Sequence, residues 1–447
     1  MVYILQIAFI IILLTRWNAG NNCYKILVLL QMLSFAFAPL VSNRVIFNSF
    51  LTYFNVIFSL LNIYLITRPW KYSGFHSITI ENEDFYSFYK KVLYAVLLFT
   101  IINNLIVFLC VKIYMPDIAL LKAQQGYKKL YDAIPFFGIS YRYTAISRNF
   151  GFLALPLCVY YINRRLYKEV AKAFILSLSS LFGALGTYSR AQLLTYAMIV
   201  ICFYFYVKEL FHAEINAFIM KMLKYLFVFI VVIFAAVTIS RFSSATMNYY
   251  GDRIPKDSYI TDPVLYSVFE YASSGFTNGV NQLELHESSD ILYGEPIVYD
   301  LMLMASYFRL TSWNAEDYKV RVMNSYNKEG LNPGNGWSSF HGYTCRMVKA
   351  VGYFFTLLTS IIYYKYVRIK SSKKTISIKS LSILIFLLLV SINSIYYMDY
   401  SAALFPLLFY IILYFMYSVC SSMSRVINQV SCCKSSSQDV VSACDEH

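Results

Sequence analysis

The chain has 447 residues, of which 58% are hydrophobic and only 14% charged, and its 38 Lys and Arg outnumber its 24 Asp and Glu to give a formal net charge of +14. A soluble protein of this length needs more charge to cover its surface, so a soluble globular fold is excluded. The apolar residues fall in continuous runs rather than alternating, which excludes a membrane β-barrel.

Only helices and closed barrels satisfy their backbone polar groups in lipid, so the runs predict helices, each needing about 20 residues to cross the hydrocarbon core. The fold class is an all-α polytopic membrane protein. It has about eleven transmembrane helices and a long periplasmic loop containing short helices. Taken in chain order, spans are expected at 1–15, 24–42, 45–67, 92–114, 145–162, 173–189, 190–207, 224–240, 346–367, 381–398 and 400–419. The first apolar stretch, Val2 to Leu14, lacks a basic segment before it and a small-residue cleavage site after it, and is read as a retained span. The run Ile297–Leu310 is apolar too, but it is short and carries Asp300 and Arg309, which suits an interfacial or re-entrant helix.

The organisation that follows is a bundle of eight spans over 1–240, a long loop over 241–345, three further spans over 346–419, and a Ser- and Cys-rich disordered tail over 420–447. Four short loops hold the basic residues. They contain Arg68, Lys71, Lys90 and Lys91; Arg164, Arg165, Lys168 and Lys172; Lys208, Lys221 and Lys224; and Arg368, Lys370, Lys373, Lys374 and Lys379. With eleven spans all four fall on one side, which the positive-inside rule makes cytoplasmic. The N-terminus is then periplasmic, the C-terminus is cytoplasmic, and the expected location is a bacterial inner membrane. The stretch Glu81-Asn-Glu-Asp84 has the look of an acidic metal site, but this topology puts it on the cytoplasmic side, where it is a loop surface. None of the nine cysteines pairs as C-x-x-C, and Cys345 has no second cysteine within the long loop, so neither a disulfide staple nor a metal or other cofactor is expected.

Two segments stand out. Gly183-Ala-Leu-Gly-Thr-Tyr-Ser-Arg-Ala-Gln192 forms a tight outward turn between two spans, with Arg190 at the membrane edge. Two readings stand side by side: an anchor that snorkels to the interface, or a binder of phosphate through its planar fork. Asn332-Pro-Gly-Asn-Gly-Trp-Ser-Ser-Phe-His-Gly-Tyr-Thr344 closes the long loop, and its Pro and Gly residues specify an irregular backbone. His341 lies here, five residues before Arg346, either as a polar loop residue or as a proton-handling group. Other outward cations are Arg142, Arg148, Arg241, Arg253, Lys256, Arg309, Lys319 and Arg321. They could contact membrane lipid phosphates or bind a diphosphate. Candidate bases in the long loop are Asp252, Asp257, Asp262, Glu270, Glu284, Glu287 and Asp290.

In this topology the two segments resemble bacterial O-antigen polymerases, the oligosaccharide repeat-unit polymerases of the lipid-carrier pathway, and their relatives the O-antigen ligases. The resemblance rests on Ser189-Arg190-Ala191 after a Gly-containing span, and on His341-Gly342-Tyr343-Thr344 ahead of Gly352 in the next span. This chain has Gly342 where the ligases usually have Asn, its Tyr343 comes one position early, and Arg241 is followed by Gly251 one position short of the spacing described for some polymerases. The resemblance implies metal-independent glycosyl transfer between oligosaccharides carried on undecaprenyl diphosphate, with a chain-length regulator protein as a further partner and no nucleic acid. It makes Arg190 and His341 catalytic, and gives substrate binding to Arg142, Arg148, Arg241, Arg253, Arg309, Tyr343 and Arg346. The competing reading is a flippase or transporter of lipid-linked oligosaccharide, against which the long outer loop argues.

Overall fold

The structure is a computed structural model that describes residues 2–15, 17, 20–42, 45, 49–114, 134–186, 189–240, 242, 251–252, 254–284, scattered positions between 302 and 348, 351–396 and 405–422. Its helices, in chain order, are α1 (Val2–Leu14), α2 (Asn22–Phe37), α3 (Phe50–Thr67), α4 (Glu83–Tyr114), α5 (Phe137–Ser147), α6 (Leu155–Asn163), α7 (Tyr167–Ser177), α8 (Ser179–Gly186), α9 (Arg190–Val207), α10 (Ala213–Ser240), α11 (Pro263–Glu284), α12 (Gly352–Ser371), α13 (Ile378–Tyr396) and α14 (Phe405–Ser422). Among the described residues, eight helical stretches, counting α7 and α8 together, are long and apolar enough to cross a membrane, and α5 with α6 makes a ninth if that bent pair is one span. The chain is an all-α, multi-pass membrane protein. The expected spans at 1–15 and 346–367 meet α1, an apolar helix of 13 residues, and α12, whose second half carries Lys365, Arg368 and Lys370.

Local chemistry explains where the helices start and break. Asn82 accepts from the Phe85 backbone N at 2.8 Å, and Glu83 and Asp84 favour the positive end of α4, so that helix begins well before the apolar run it was read from. The single span expected at 145–162 is two helices bent by 45°. A 3-10 segment, Phe150–Ala154, separates them, and Pro156 enters the first turn of α6, where its missing N–H costs nothing. Gly151 permits this bend: a Cβ there would overlap the Ser177 carbonyl and come within 2.7 Å of Ser179 Oγ and 2.8 Å of Ser180 Oγ.

The basic loops converge on one end of the bundle. Asn21 Nδ2 donates to the Trp70 carbonyl, Ser73 Oγ to the Tyr206 carbonyl, and Asn163 Nδ2 to the Leu210 carbonyl. Lys90 lies 3.8 Å from Glu169. Strand β1 (Ser77–Thr79) pairs in parallel with β2 (Thr375–Ser377), joining the segment after α3 to the segment before α13. Deeper in, fully buried Trp70 donates from Nε1 to Tyr363 Oη at 2.8 Å and to Ser391 Oγ at 2.9 Å, which locks α12 and α13 to this end. The Glu81–Asp84 stretch is exposed here.

The opposite end holds a feature that the sequence reading placed in a loop. α11 is too polar to count among the apolar spans, yet it packs against α2, α3 and α13, and Ser273–Leu283, except Asn278, are all buried. Small residues let it approach closely: Ser273, Ser274, Gly275 and Gly279 sit in its second half. Phe269 meets Phe37 edge-on at 4.6 Å and Phe276 meets Phe35 edge-on at 5.0 Å, which sets its register on α2. The run-in to α11 is tied to the end of α2 by the Tyr259 backbone N donating to the Leu40 carbonyl and Ser42 Oγ donating to the Asp257 carbonyl. Most of the rest of the expected 241–345 loop, including nearly all of Ile297–Leu310, lies outside the described residues.

Candidate functional site

Ser189 has an extended backbone and caps α9, its Oγ accepting from the Gln192 backbone N at 3.4 Å. Arg190 is therefore the first residue of α9, where the helix dipole is positive. Its guanidinium Nη2 donates to Ser267 Oγ of α11 at 2.7 Å, and Nη1 is buried. Two residues on, buried Gln192 donates from Nε2 to the carbonyls of Arg148 at 3.0 Å and Ser180 at 3.1 Å.

The turn that presents Arg190 is held from below by α4 and α5. Asn104 donates to the Ser179 carbonyl at 3.1 Å and accepts from Thr144 Oγ1 at 2.8 Å, and Asn103 donates to Thr144 Oγ1 and to the Ser140 carbonyl, both at 3.0 Å. Gly183 lies at the centre of this seam. A Cβ there would stand 3.3 Å from both Asn104 Nδ2 and Gln192 Nε2, and 3.7 Å from Arg148 Cα. The sequence candidates Arg190 and Arg148 thus belong to one polar seam. Arg142 lies on α5 with its guanidinium against the Tyr141 ring at 5.6 Å.

Along α9 from Arg190, between α9, α11 and α13, is a small cleft with room for about one water molecule, lined by Ala191, Leu194, Thr195, Met198, Tyr271, Ile392 and Asn393. Thr195 Oγ1 donates to Asn393 Oδ1 at 3.4 Å across it. The arrangement puts a cation and a helix N-terminus next to a small cleft that offers three hydrogen-bonding side chains among apolar ones. The cation and the helix N-terminus suit an anion. On the mouth side of α11, burial and the neighbouring Glu270 carboxylate push the Tyr266 phenol well above its ordinary range, so it stays a hydrogen-bond donor.

Of the remaining candidates, Arg241, Arg253, Arg309, Lys319, His341, Tyr343 and Arg346 lie outside the described residues. So do Glu287 and Asp290. Lys256, Asp252, Asp257 and Asp262 are exposed, and Asp262 is used as a cap, accepting from the Leu265 backbone N at 2.8 Å. Arg321, Glu270 and Glu284 are half-buried. Next to His341, the described residues Gly342, Thr344 and Cys345 are all buried. Cys345 clusters with Phe58 of α3 and Leu283 of α11. A Cβ on Gly352 would come within 2.5 Å of the Cys345 carbonyl and 2.6 Å of its sulfur, so glycine is what lets this segment dock on α12. Sequence reasoning did not single out Ser267, Asn104 or Thr144. Ser267 sits in a polar stretch with no local signal, whereas the asparagines within the apolar run of α4 were the available clue to a buried seam.

No family model, curated protein or solved structure matches the chain.

Proposed function

We propose that the chain is a membrane glycosyltransferase of the O-antigen polymerase type, working on the periplasmic face of a bacterial inner membrane with eleven spans, its N-terminus periplasmic and its C-terminus cytoplasmic. It joins oligosaccharide repeat units carried on undecaprenyl diphosphate. An acceptor hydroxyl attacks the anomeric carbon of the donor glycan, the C–O bond to the diphosphate breaks, the lipid diphosphate leaves with the bonding pair, and a base takes the hydroxyl proton. The observation that carries the reading is Arg190: a guanidinium at a helix N-terminus, held by Ser267 of α11. A preorganised fork of this kind stabilises charge as it develops on a leaving diphosphate. Arg142, Arg148, Arg241, Arg253, Arg309, Tyr343 and Arg346 fill out the binding surface, His341 is the candidate base, and a chain-length regulator is the protein partner.

A transporter of lipid-linked oligosaccharide is the competing reading. Ion-coupled carriers place ionisable groups within their spans. Here no Asp or Glu occurs from Met1 to Ile80, and none within α9, α12 or α13. The deciding experiment is deletion of the gene with analysis of the surface glycan. A polymerase leaves single repeat units on the surface, and the plasmid-borne gene restores the long ladder. Total loss of the glycan with an unaltered lipid core overturns the reading in favour of transport.

A further inference from the structure

No Asp or Glu occurs from Met1 to Ile80, yet this part of the chain buries an arginine. Arg68 caps the C-terminal end of α3 and is 8% exposed. Its Nη1 donates to Tyr24 Oη at 3.3 Å, and Tyr24 Oη in turn donates to the Leu13 carbonyl at 2.9 Å, so the guanidinium sits where α1, α2 and α3 meet. The Tyr24 and Tyr64 rings stand 5.9 and 5.8 Å from it. Among the described residues no carboxylate lies within ion-pair distance of Arg68; the ion pairs there join Lys90, Lys172 and Lys208 to Glu169 and Glu209. None of the Arg68 nitrogens is sealed off without a partner, so the edge of the fork that Tyr24 does not hold opens to the surface of the bundle. A largely buried cation in a membrane protein is costly unless an anion meets it. Lys25, with its Nζ 6.0 Å from the Trp17 ring, adds a second positive charge in the first turn of α2, which Asn21 ties to the Trp70 carbonyl just beyond Arg68.

We infer that this junction is a binding site for the headgroup phosphate of an anionic phospholipid. The surface leading to Arg68 selects a lipid over a soluble anion. Ile57, Leu61, Tyr64 and Arg68 are spaced four, three and four residues apart and form one stripe of α3. Ile57 is 55% and Leu61 44% exposed, and Ile11 and Ile12 in the last turn of the neighbouring α1 are exposed too. An acyl chain laid along that stripe brings its headgroup to Arg68. The phosphodiester takes the open edge of the fork, while Tyr24 and Tyr64 brace the guanidinium. The local charge selects the anionic class. A choline or ethanolamine headgroup would bring an ammonium to a place that holds Arg68 and Lys25 and, among the described residues, no carboxylate to receive it. A glycerol headgroup brings only the negative charge. The bound lipid thus supplies the counter-charge of Arg68 and pins the ends of α1, α2 and α3 together. The site lies at the opposite end of the bundle from Arg190 and does not depend on the enzymatic reading.

The test uses the purified full-length chain, freed of lipid in a neutral detergent. The readout is the melting temperature, which rises with a ligand that binds only the folded state. The probes are phosphatidylglycerol, phosphatidylcholine with the same acyl chains, and glycerol 1-phosphate. Wild type is expected to gain on the order of 3 °C with saturating phosphatidylglycerol, and to show no comparable gain with the other two. Arg68→Gln keeps a donor for Tyr24 but loses the charge, and is expected to lose the gain. Lys168→Gln removes an exposed cation from the same end of the bundle and is expected to keep it. If Arg68→Gln does not fold, Arg68→Lys takes its place; it keeps the charge without the fork and is expected to lose most of the gain. A wild type that shows no gain overturns the inference, and so does an Arg68 variant that keeps the whole gain. An equal gain with phosphatidylcholine overturns the anionic class, and an equal gain with glycerol 1-phosphate makes the ligand a soluble anion. Equal loss in Lys168→Gln and the Arg68 variant means that lipid answers to net charge alone, and removes the site.

Discussion

Arg190 and Ser267 are 77 residues apart in sequence and joined by a 2.7 Å hydrogen bond, which fastens the first turn of α9 to the first two turns of α11. One contact therefore fixes both the direction of the guanidinium and the position of the polar helix that roofs the cleft. A snorkelling anchor would turn outward to lipid headgroups; this side chain is half-buried and turned to a neighbouring helix.

Arg190→Lys keeps the charge and loses the planar fork, so it cannot hold two oxygens of a diphosphate at once. The expected outcome is a surface glycan reduced to short chains at matched protein level, a loss of roughly 10²-fold in chain extension. Ser267→Ala leaves the guanidinium in place but untethered, and is expected to cost roughly tenfold, the worth of one charge-assisted hydrogen bond. Long chains from Arg190→Lys at normal expression would remove the diphosphate role.

Much of the bundle was legible because hydrophobic runs of span length have few other uses. The runs that became α2, α3, α9 and α13 appear within a few residues of where they were read. What hydropathy could not show was α11. Its Ser, Thr, Asn and Gln residues lower its mean hydropathy, although close packing of Ser273, Ser274 and Gly275 and the apolar Phe276, Val280 and Leu283 bury it. The β1–β2 pair was equally hidden, since three-residue strands from segments almost 300 residues apart leave no local pattern. At the site, Arg190 was visible as an Arg in a Ser-Arg turn. Its partner Ser267 was not, because only the fold brings the two helices together.

Topology is the next test. The structure gathers the loops rich in Lys and Arg at one end through the β1–β2 pair and the Asn21, Ser73 and Asn163 hydrogen bonds. In the proposed topology that end is cytoplasmic, by the positive-inside rule. A reporter fused after Lys373 is expected to read as cytoplasmic and one fused after Asp290 as periplasmic. Identical compartments for the two fusions would refute the eleven-span arrangement.

Gly352→Ala probes the docking of the segment that precedes α12. The added methyl would meet the Cys345 carbonyl and sulfur at 2.5 and 2.6 Å, and both belong to buried backbone and side chain that cannot swing away freely. Overpacking of this kind costs about 1–3 kcal/mol. The expected result is a lower melting temperature in detergent together with shorter glycan. A variant as stable and as active as wild type would show that Cys345 does not dock on α12 as described.

His341 is the remaining test, and its motivation is the sequence resemblance. In the proposed reading the residue closes the long loop, and the resemblance to the ligase motif would make it catalytic. The described residues that follow it, Gly342, Thr344 and Cys345, are buried, and Cys345 packs with Leu283 at the inner end of α11. A proton acceptor at this position of the motif would serve an acceptor hydroxyl. His341→Ala is expected to lower chain extension by 10²-fold or more, the usual contribution of a positioned base. His341→Gln separates two roles, because Gln retains hydrogen bonding and cannot take a proton near neutral pH. Loss in both variants assigns His341 as the base. Activity retained in Gln and lost in Ala makes it a positioning residue and moves the search for the base to Glu270, Glu284 and Glu287. Wild-type chain length in both variants, at matched expression, removes His341 from the site.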